Sequence, residues 1–157
     1  SERLVEIRPH AGAVVAPVSR EAVRELFALM EALELLAARS AVTRIDDAGV
    51  AALRAIVAAM DAATAAGDHR AWSDGNARFH RAIVDAADLP LVRDFTDRVL
   101  ADWERLRRHA FGDAAPPDPE RAQREHKRIV AALAKRDAAA LEQVIAAHNR
   151  GAAKSYL

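Results

Sequence analysis

The feature that most constrains this chain is a helical spacing of apolar residues that begins after Ser19 and continues to the end. Alanine provides 39 of the 157 residues, whereas glycine and proline contribute 6 each, so helix formers far outnumber helix breakers. Ser19 is suited to cap a first helix whose apolar stripe is Val23, Leu26, Phe27, Met30, Leu33 and Ala37. The pattern predicts an all-α fold, an antiparallel bundle of about six helices with short connections.

Start and stop signals divide this region into helices. After the first helix, the predicted segments are Asp46 or Asp47 to Gly67, about 69–87, Pro90 to Gly112, a fifth helix after the 114–119 loop, and a sixth capped by Asp137. Residues 1–18 differ, because two short extended runs flank a turn at residues 9–12. A lone β-hairpin is marginally stable in water, so we expect it to belong to a larger element.

Charge and composition exclude several classes of protein. The 23 basic and 23 acidic residues balance, which leaves no net charge to attract nucleic acid or an anionic membrane. The absence of cysteine excludes disulfides, thiolate metal sites and cysteine catalysis. We find no signal-peptide pattern and no apolar run approaching the roughly 20 residues of a membrane span. The expectation is a soluble, cytoplasmic protein, and a start at Ser1 instead of methionine is typical of a fragment.

Three of the six histidines, His80, His126 and His148, lie on the apolar faces of three different predicted helices. Burying three imidazoles in a small bundle is costly unless they share a partner, and a divalent metal ion is one such partner. The alternative is that each is a hydrogen-bonded core residue, and both interpretations stay open at this point. For the other three histidines, at positions 10, 69 and 109, we expect structural roles.

Several stretches have a characteristic order: residues 4–9 with 12–16, 25–27 with 32–34 and 37–39, 79–83 with 86–87 and 89–91, 125–126 with 129, 132 and 136–137, and finally His148. Together they resemble the FadR-like subfamily of GntR bacterial transcriptional regulators, which carry an all-helical FCD effector-binding domain. The resemblance implies that residues 1–18 are a wing remnant of an N-terminal winged helix-turn-helix plus linker. It makes residues 19–157 the helical effector and metal-binding domain.

The resemblance also implies a metal site formed by Asn76, His80, His126 and His148. Asn76 stands where the family has aspartate, and an amide oxygen is a weaker ligand than a carboxylate. Alternatively, residues 73–76 interrupt the helix and make Asn76 or Asp74 a cap. Zinc is the favoured ion, because imidazole ligands suit it, and nickel and manganese are also compatible.

In such a regulator a winged helix binds operator DNA as a dimer, and a metabolite in the helical domain controls that binding. The recognition helix lies outside this sequence, so we expect the chain to sense a small effector, a carboxylate beside the metal, and to reach operator DNA only through the missing domain. Met30 replaces a family arginine, which either favours a larger, less acidic effector or fills the core. Arg98 or Arg105 could hold the effector, although a solvated face is the simpler interpretation for both. Homodimerisation also comes from the resemblance, and exposed faces of the first and fourth helices are candidates for an interface that the sequence does not assign.

Two other classes remain open from the sequence. A small metalloenzyme would use a histidine site with open positions for hydrolysis. It would need a general base, however, and Glu125, next to His126, projects about 100° away on a helix. The third class is a dimerisation module with structural histidines. We predict a sensor and not an enzyme, without catalytic residues.

Overall fold

A computed structural model describes residues 5–8, 12–15, 19–112 and 117–157, and this part of the chain contains six α-helices. The helices are α1 (Arg20–Arg44), α2 (Asp47–Ala66), α3 (His69–Ala87), α4 (Pro90–Phe111), α5 (Pro119–Lys135) and α6 (Ala138–Ser155). The predicted all-α fold and its number of helices are confirmed. Two four-residue strands precede the helices, β1 (Val5–Arg8) and β2 (Gly12–Val15), and their backbones pair antiparallel.

Side-chain caps explain where the helices begin. In five of the six, the N-cap oxygen accepts a hydrogen bond from the backbone N–H three residues later, which satisfies one of the free donors of the first turn. The caps are Ser19, Asp46, Asp68, Asp118 and Asp137. Helix α4 begins at Pro90 without a side-chain cap, and Gly67 ends α2 with a φ of 67°. These boundaries agree with those predicted from the sequence.

The bundle is organised around α1 and α3. Helix α1 packs on α3, α4 and α6, while α2 packs on α3 and α5, and α5 packs on α6. The apolar faces meet in one large core, whose largest fully buried apolar side chains are Phe79, Leu53, Met60, Ile83, Ile129, Leu133, Leu141 and Ile145. Gly75 faces Met60 so closely that an added Cβ would lie 2.6 Å from Met60 Cγ. The glycine therefore permits α2 and α3 to approach, and α3 continues through it.

Helix α2 departs from one expectation. It is 20 residues long, with a mean hydropathy of 1.4 in its most apolar window, so by length and composition it could span a membrane. Within the bundle, however, one face of α2 is buried against α3 and α5, the position of a core helix. Its high hydropathy arises largely from alanine.

Two predicted loops lie partly outside the described residues. One is the turn of the hairpin, residues 9–11 with His10, and the other is the loop before α5, of which residues 113–116 are not described. That the two strands belong to the wing of a winged helix stays a prediction.

Candidate metal centre

The three predicted histidines meet inside the bundle. His80 of α3, His126 of α5 and His148 of α6 each place one ring nitrogen within 4.8 Å of the others. Their side chains are almost fully buried, and the ring centroids of His126 and His148 are 4.7 Å apart. Each histidine lies one turn from a buried isoleucine of its own helix, so the packing that buries the isoleucines also brings the imidazoles together. We refer to these three residues as the histidine cluster.

The proton position on His126 follows from its neighbour Gln123. The Gln123 amide nitrogen donates to the Val57 carbonyl at 3.2 Å and to Asp61 Oδ1 at 2.9 Å. The amide oxygen of Gln123 must then be the atom that lies 2.9 Å from His126 Nδ1. Because that oxygen can only accept, Nδ1 carries the proton and Nε2 presents a lone pair. His126 Nε2 is buried and has no hydrogen-bond partner among the described residues.

Carboxylates hold the other two rings in the same way. His148 Nδ1 lies 2.9 Å from Glu125 Oε2, and His80 Nδ1 contacts Glu34 Oε1. An ionised carboxylate only accepts hydrogen bonds, so both Nδ1 atoms carry a proton, and in the neutral ring Nε2 then has the lone pair. A histidine that binds a metal through one nitrogen commonly donates its other N–H to such an acceptor. All three rings of the cluster have this arrangement.

Sequence reasoning missed both carboxylates. Glu125 was set aside because it projects away from His126, yet it reaches His148 across the α5–α6 contact. It also accepts two hydrogen bonds from Arg121, at 2.7 and 2.9 Å. For Glu34 a signal was available, since it lies four residues after Met30 and three before Ala37 on the apolar stripe of α1. A charged residue at a core position indicates a buried partner.

Burial and charge act in opposite directions on Glu34. Burial raises the pKa of Glu34, but the charge of His80 and hydrogen bonds from His80 and Asn149 outweigh it and leave the pKa below 4.5. The Asn149 amide donates to Glu34 Oε2 at 2.7 Å. Glu34 is therefore an ionised carboxylate that is only 1% exposed. A buried negative charge of this kind is unfavourable unless positive charge lies close by.

Two of the histidines, His126 and His148, are favoured in the neutral form. Burial lowers the pKa of His126 well below 6.5, and the charges of His148 and His80 lower it further. Burial also lowers the pKa of His148, against the opposing hydrogen bond to Glu125. Neutral imidazole is the form that binds metal ions, so these two rings need no deprotonation near neutral pH.

The cluster opens on one side into a cavity between α1, α3, α4 and α6 that contains about 840 Å³ of unfilled space, part of it continuous with solvent. Asn76 lines this cavity together with His80 and His148. The alternative in which residues 73–76 interrupt the helix is wrong, because α3 is continuous and Asp68 caps it. Asp74 is exposed and lies outside the cavity lining.

The structure also shows where the other residues considered in the sequence analysis lie. Met30 is buried, as expected of a core residue, and it also lines the cavity. Arg98 lies over the ring of Phe95 on the surface, and Arg105 pairs with Asp102. The arginines that line the cavity are instead Arg107 and Arg121, which helical spacing alone did not single out. His69 and His109 are exposed, in keeping with roles outside the site.

Comparisons with known proteins identify this kind of domain. Among solved structures, E. coli McbR/YncC has a TM-score of 0.82 at 18% identity and covers 99% of this chain and 78% of its own. A GntR-family transcriptional regulator from Pseudomonas syringae pv. tomato str. DC3000 has a TM-score of 0.73 at 19% identity and covers 98% of this chain and 62% of its own. At such identities these likenesses show the fold alone.

The sequence comparison then shows the family. The FCD domain model matches residues 25–151, and the chain belongs to the FCD domain family of GntR-type transcriptional regulators, which are not enzymes. The HTH-type transcriptional repressor RspR of Escherichia coli (strain K12) is 28% identical over 145 residues, which are 92% of this chain and 63% of that protein. The chain thus spans less than two thirds of the relative's length.

Proposed function

We propose that residues 19–157 sense a small metabolite, a carboxylate bound beside a divalent metal ion, and thereby control DNA binding by the regulator. The observation that carries this proposal is the arrangement of the histidine cluster. Three buried imidazoles have Nδ1 engaged by an acceptor and a lone pair on Nε2. Three core histidines that merely satisfied one another would instead pair donors with acceptors.

Two features of the site fit a metal ion. His126 Nε2 has no partner among the described residues, which is costly for a buried polar atom unless something binds there. A dication on the three Nε2 atoms would also place positive charge near the buried Glu34 carboxylate. Asn76 is our proposed fourth ligand through its amide oxygen. Zinc fits three imidazoles best, with nickel and manganese as alternatives, and the ion supplies positive charge and open positions for a carboxylate.

The DNA-binding part of the proposal rests on the relatives. RspR is described as an HTH-type repressor, and the matched region leaves more than a third of that protein outside the comparison. We propose that residues 1–18 are the remnant of a wing and that operator DNA is contacted through the rest of a winged helix. A regulator of this kind acts in the cytoplasm.

A homodimer is part of the same proposal. Four large apolar side chains are exposed on neighbouring helices: Leu29 and Leu36 on α1, and Leu91 and Phe95 on α4. Leu91 is 73% exposed, which is unfavourable in an isolated domain and typical of a protein interface. We expect the double variant Leu91→Glu with Phe95→Glu to be monomeric in analytical ultracentrifugation. A dimer that persists in this variant would place the interface elsewhere.

Elemental analysis of the purified chain tests the metal site. We expect about one zinc ion per chain after incubation with zinc and removal of excess, and loss of the ion in His80→Ala. His69→Ala is the matched control, because His69 lies at the exposed start of the same helix. Zinc that is absent from the parent chain, or equally retained in His80→Ala, would overturn the proposed metal site.

A further inference from the structure

The cavity beside the histidine cluster has a second end that is lined by aromatic side chains. Phe27 of α1, Trp103 of α4 and Tyr156 of α6 line it, and we call them the aromatic cluster. The ring centroids of Phe27 and Trp103 are 4.7 Å apart, and those of Trp103 and Tyr156 are 4.6 Å apart. Three rings at these distances form a surface on which a flat apolar group can pack.

Helix geometry gives the separation between the two ends. Phe27 precedes Glu34, the partner of His80, by seven residues, and Tyr156 follows His148 by eight. At a rise of about 1.5 Å per residue, both offsets place the aromatic cluster about 10–12 Å from the histidine cluster. The wall between them is largely apolar and includes Met30, Leu26 and Leu100. A ligand that fills the cavity is therefore extended, with an apolar middle.

Both arginines that line the cavity are paired with carboxylates of the chain. Arg107 Nη2 lies 3.0 Å from Glu104 Oε1, and Arg121 Nη1 lies 2.7 Å from Glu125 Oε2. These pairs balance their own charges, so neither arginine contributes a net positive charge for an acidic ligand. Positive charge for one carboxylate would come from the metal ion. A second carboxylate at the aromatic end has no matching charge among the residues that line it.

Two hydrogen-bond donors on α3 also line the cavity. Trp72 Nε1 and Ser73 Oγ are buried, line the cavity and have no hydrogen-bond partner among the described residues. Trp72 is 7% exposed and Ser73 is 8% exposed, so bulk water does not readily satisfy them. The Trp72 ring lies 6.4 Å from the His126 ring, so a ligand acceptor near the histidine cluster would satisfy Trp72 and gain affinity. Ser73 precedes His80 by seven residues on a helix parallel to α1, which places it level with Phe27 at the aromatic end.

From these observations we propose that the cavity binds a monocarboxylate with an aromatic body. The carboxylate lies toward the histidine cluster, where its oxygens or an adjacent acceptor take a hydrogen bond from Trp72, and the ring packs on the aromatic cluster. This inference rests on the proposed metal-binding function, because the ion supplies the charge for the carboxylate. It adds the ligand class, a monocarboxylate joined to an aromatic ring by an apolar chain.

Calorimetry on the zinc-loaded chain with three probes tests the proposal. We expect 3-phenylpropionate to bind at least about tenfold more tightly than succinate, which lacks the ring, and than 3-phenylpropan-1-ol, which lacks the charge. Phe27→Ala should weaken 3-phenylpropionate binding about tenfold, whereas Phe27→Tyr retains the ring and should keep the affinity within about twofold. Zinc content and circular dichroism are measured on every sample, to check that substitution of the half-buried Phe27 leaves the fold intact.

The outcomes separate the two proposals. If zinc is bound but succinate matches 3-phenylpropionate, or Phe27→Ala has no effect, the ligand class is wrong and the metal site stands. If zinc is not taken up, the proposed metal site fails, and the anchoring of the carboxylate fails with it. A second variant, Trp103→Ala, repeats the test from α4 and should also weaken 3-phenylpropionate about tenfold.

Discussion

The histidine cluster and the isoleucine layer beside it lie on the same three helices and contribute to the protein in opposite ways. The isoleucine layer consists of Ile83, Ile129 and Ile145, each at most 1% exposed and each three residues from a histidine of the cluster. Burial of an isoleucine side chain stabilises the fold by roughly 1.5–3 kcal/mol. Burial of an imidazole instead costs free energy, which hydrogen bonds to Nδ1 only partly offset.

The comparison shows that the apolar packing and the proposed metal site are separated by about one helical turn. The isoleucine layer holds α3, α5 and α6 at fixed distances, and this packing positions the imidazoles without help from a ligand. The histidine cluster therefore need not contribute to stability in the metal-free chain. It contributes when a ligand binds, because binding to the folded state alone shifts the folding equilibrium.

The largest expected effect comes from the isoleucine layer. Ile145→Ala removes a fully buried side chain and should lower the free energy of unfolding by about 3 kcal/mol, within the usual range of 2–5 kcal/mol. The loss should be the same with zinc and with EDTA, as measured by urea denaturation. Gln143→Ala on the exposed side of α6 is the control and should change stability by less than about 0.5 kcal/mol. A loss seen only with zinc would show that the two regions are not separable.

The next effect is the pH dependence of the metal-free chain. The unfolded chain binds protons at histidine near pH 6.5, whereas His126 and His148 bind them only at lower pH when folded. Between these values the unfolded state holds more protons, so stability is full above about pH 6.5 and falls as the pH decreases. The maximum slope is about 1.4 kcal/mol per pH unit for each of the two histidines.

Urea denaturation in EDTA between pH 7 and 5 measures this slope. The pKa values of Glu34 and Glu125 are also lowered, and their contribution is lost only as the pH falls below about 4.5, so the range above pH 5 reports mainly on histidine. His126→Leu should reduce the slope by about half, and His69→Ala should leave it unchanged. A flat profile in the parent chain would mean that the cluster is solvated and not buried.

The sequence predicted the fold in detail because its signals are local. Helix starts such as Ser19 and Asp137 depend on a side chain three residues from its backbone partner, and the apolar stripes depend on neighbours within two turns. Burial of the three histidines followed from the same stripes. These properties need no knowledge of which helices meet.

The partners of the histidines depend on tertiary packing and could not be derived in this way. Glu125 is 23 residues from His148, and Glu34 is 46 residues from His80 in the chain. Helical spacing specifies which face of α5 carries Glu125, but the identity of the helix opposite that face is a property of the whole bundle. The positions of Arg107 and Arg121 in the cavity wall also depend on how the whole bundle packs.

A third prediction concerns the carboxylate that the sequence did not assign. Glu125→Gln keeps the size of the side chain but removes the negative charge that orients and polarises His148. We expect zinc binding to weaken about 10–100-fold, measured by competition with a chelating dye, while the helical content is retained. Glu120→Gln makes the same change on the exposed side of α5 and should have no effect. Equal affinities for the parent chain and Glu125→Gln would mean that the charge of Glu125 does not contribute to zinc binding through His148.

The smallest expected effect concerns Asn76, the proposed fourth ligand. If its amide oxygen is the fourth ligand, Asn76→Asp replaces a neutral donor with a carboxylate at the same place. Zinc affinity should then rise about tenfold, or about 1.4 kcal/mol, because a charged oxygen is the stronger ligand. The competition assay used for Glu125→Gln measures it, with Gln143→Glu as a control for charge added far from the site.

The direction of this change matters more than its size. Tighter zinc binding in Asn76→Asp but not in Gln143→Glu would place Asn76 in contact with the ion. Unchanged binding in both would leave a site of three histidines. An additional carboxylate ligand also neutralises part of the charge available to an acidic effector, so 3-phenylpropionate should bind more weakly to Asn76→Asp even as zinc binds more tightly. The neutral asparagine would then keep charge on the ion for the effector, at the cost of some metal affinity.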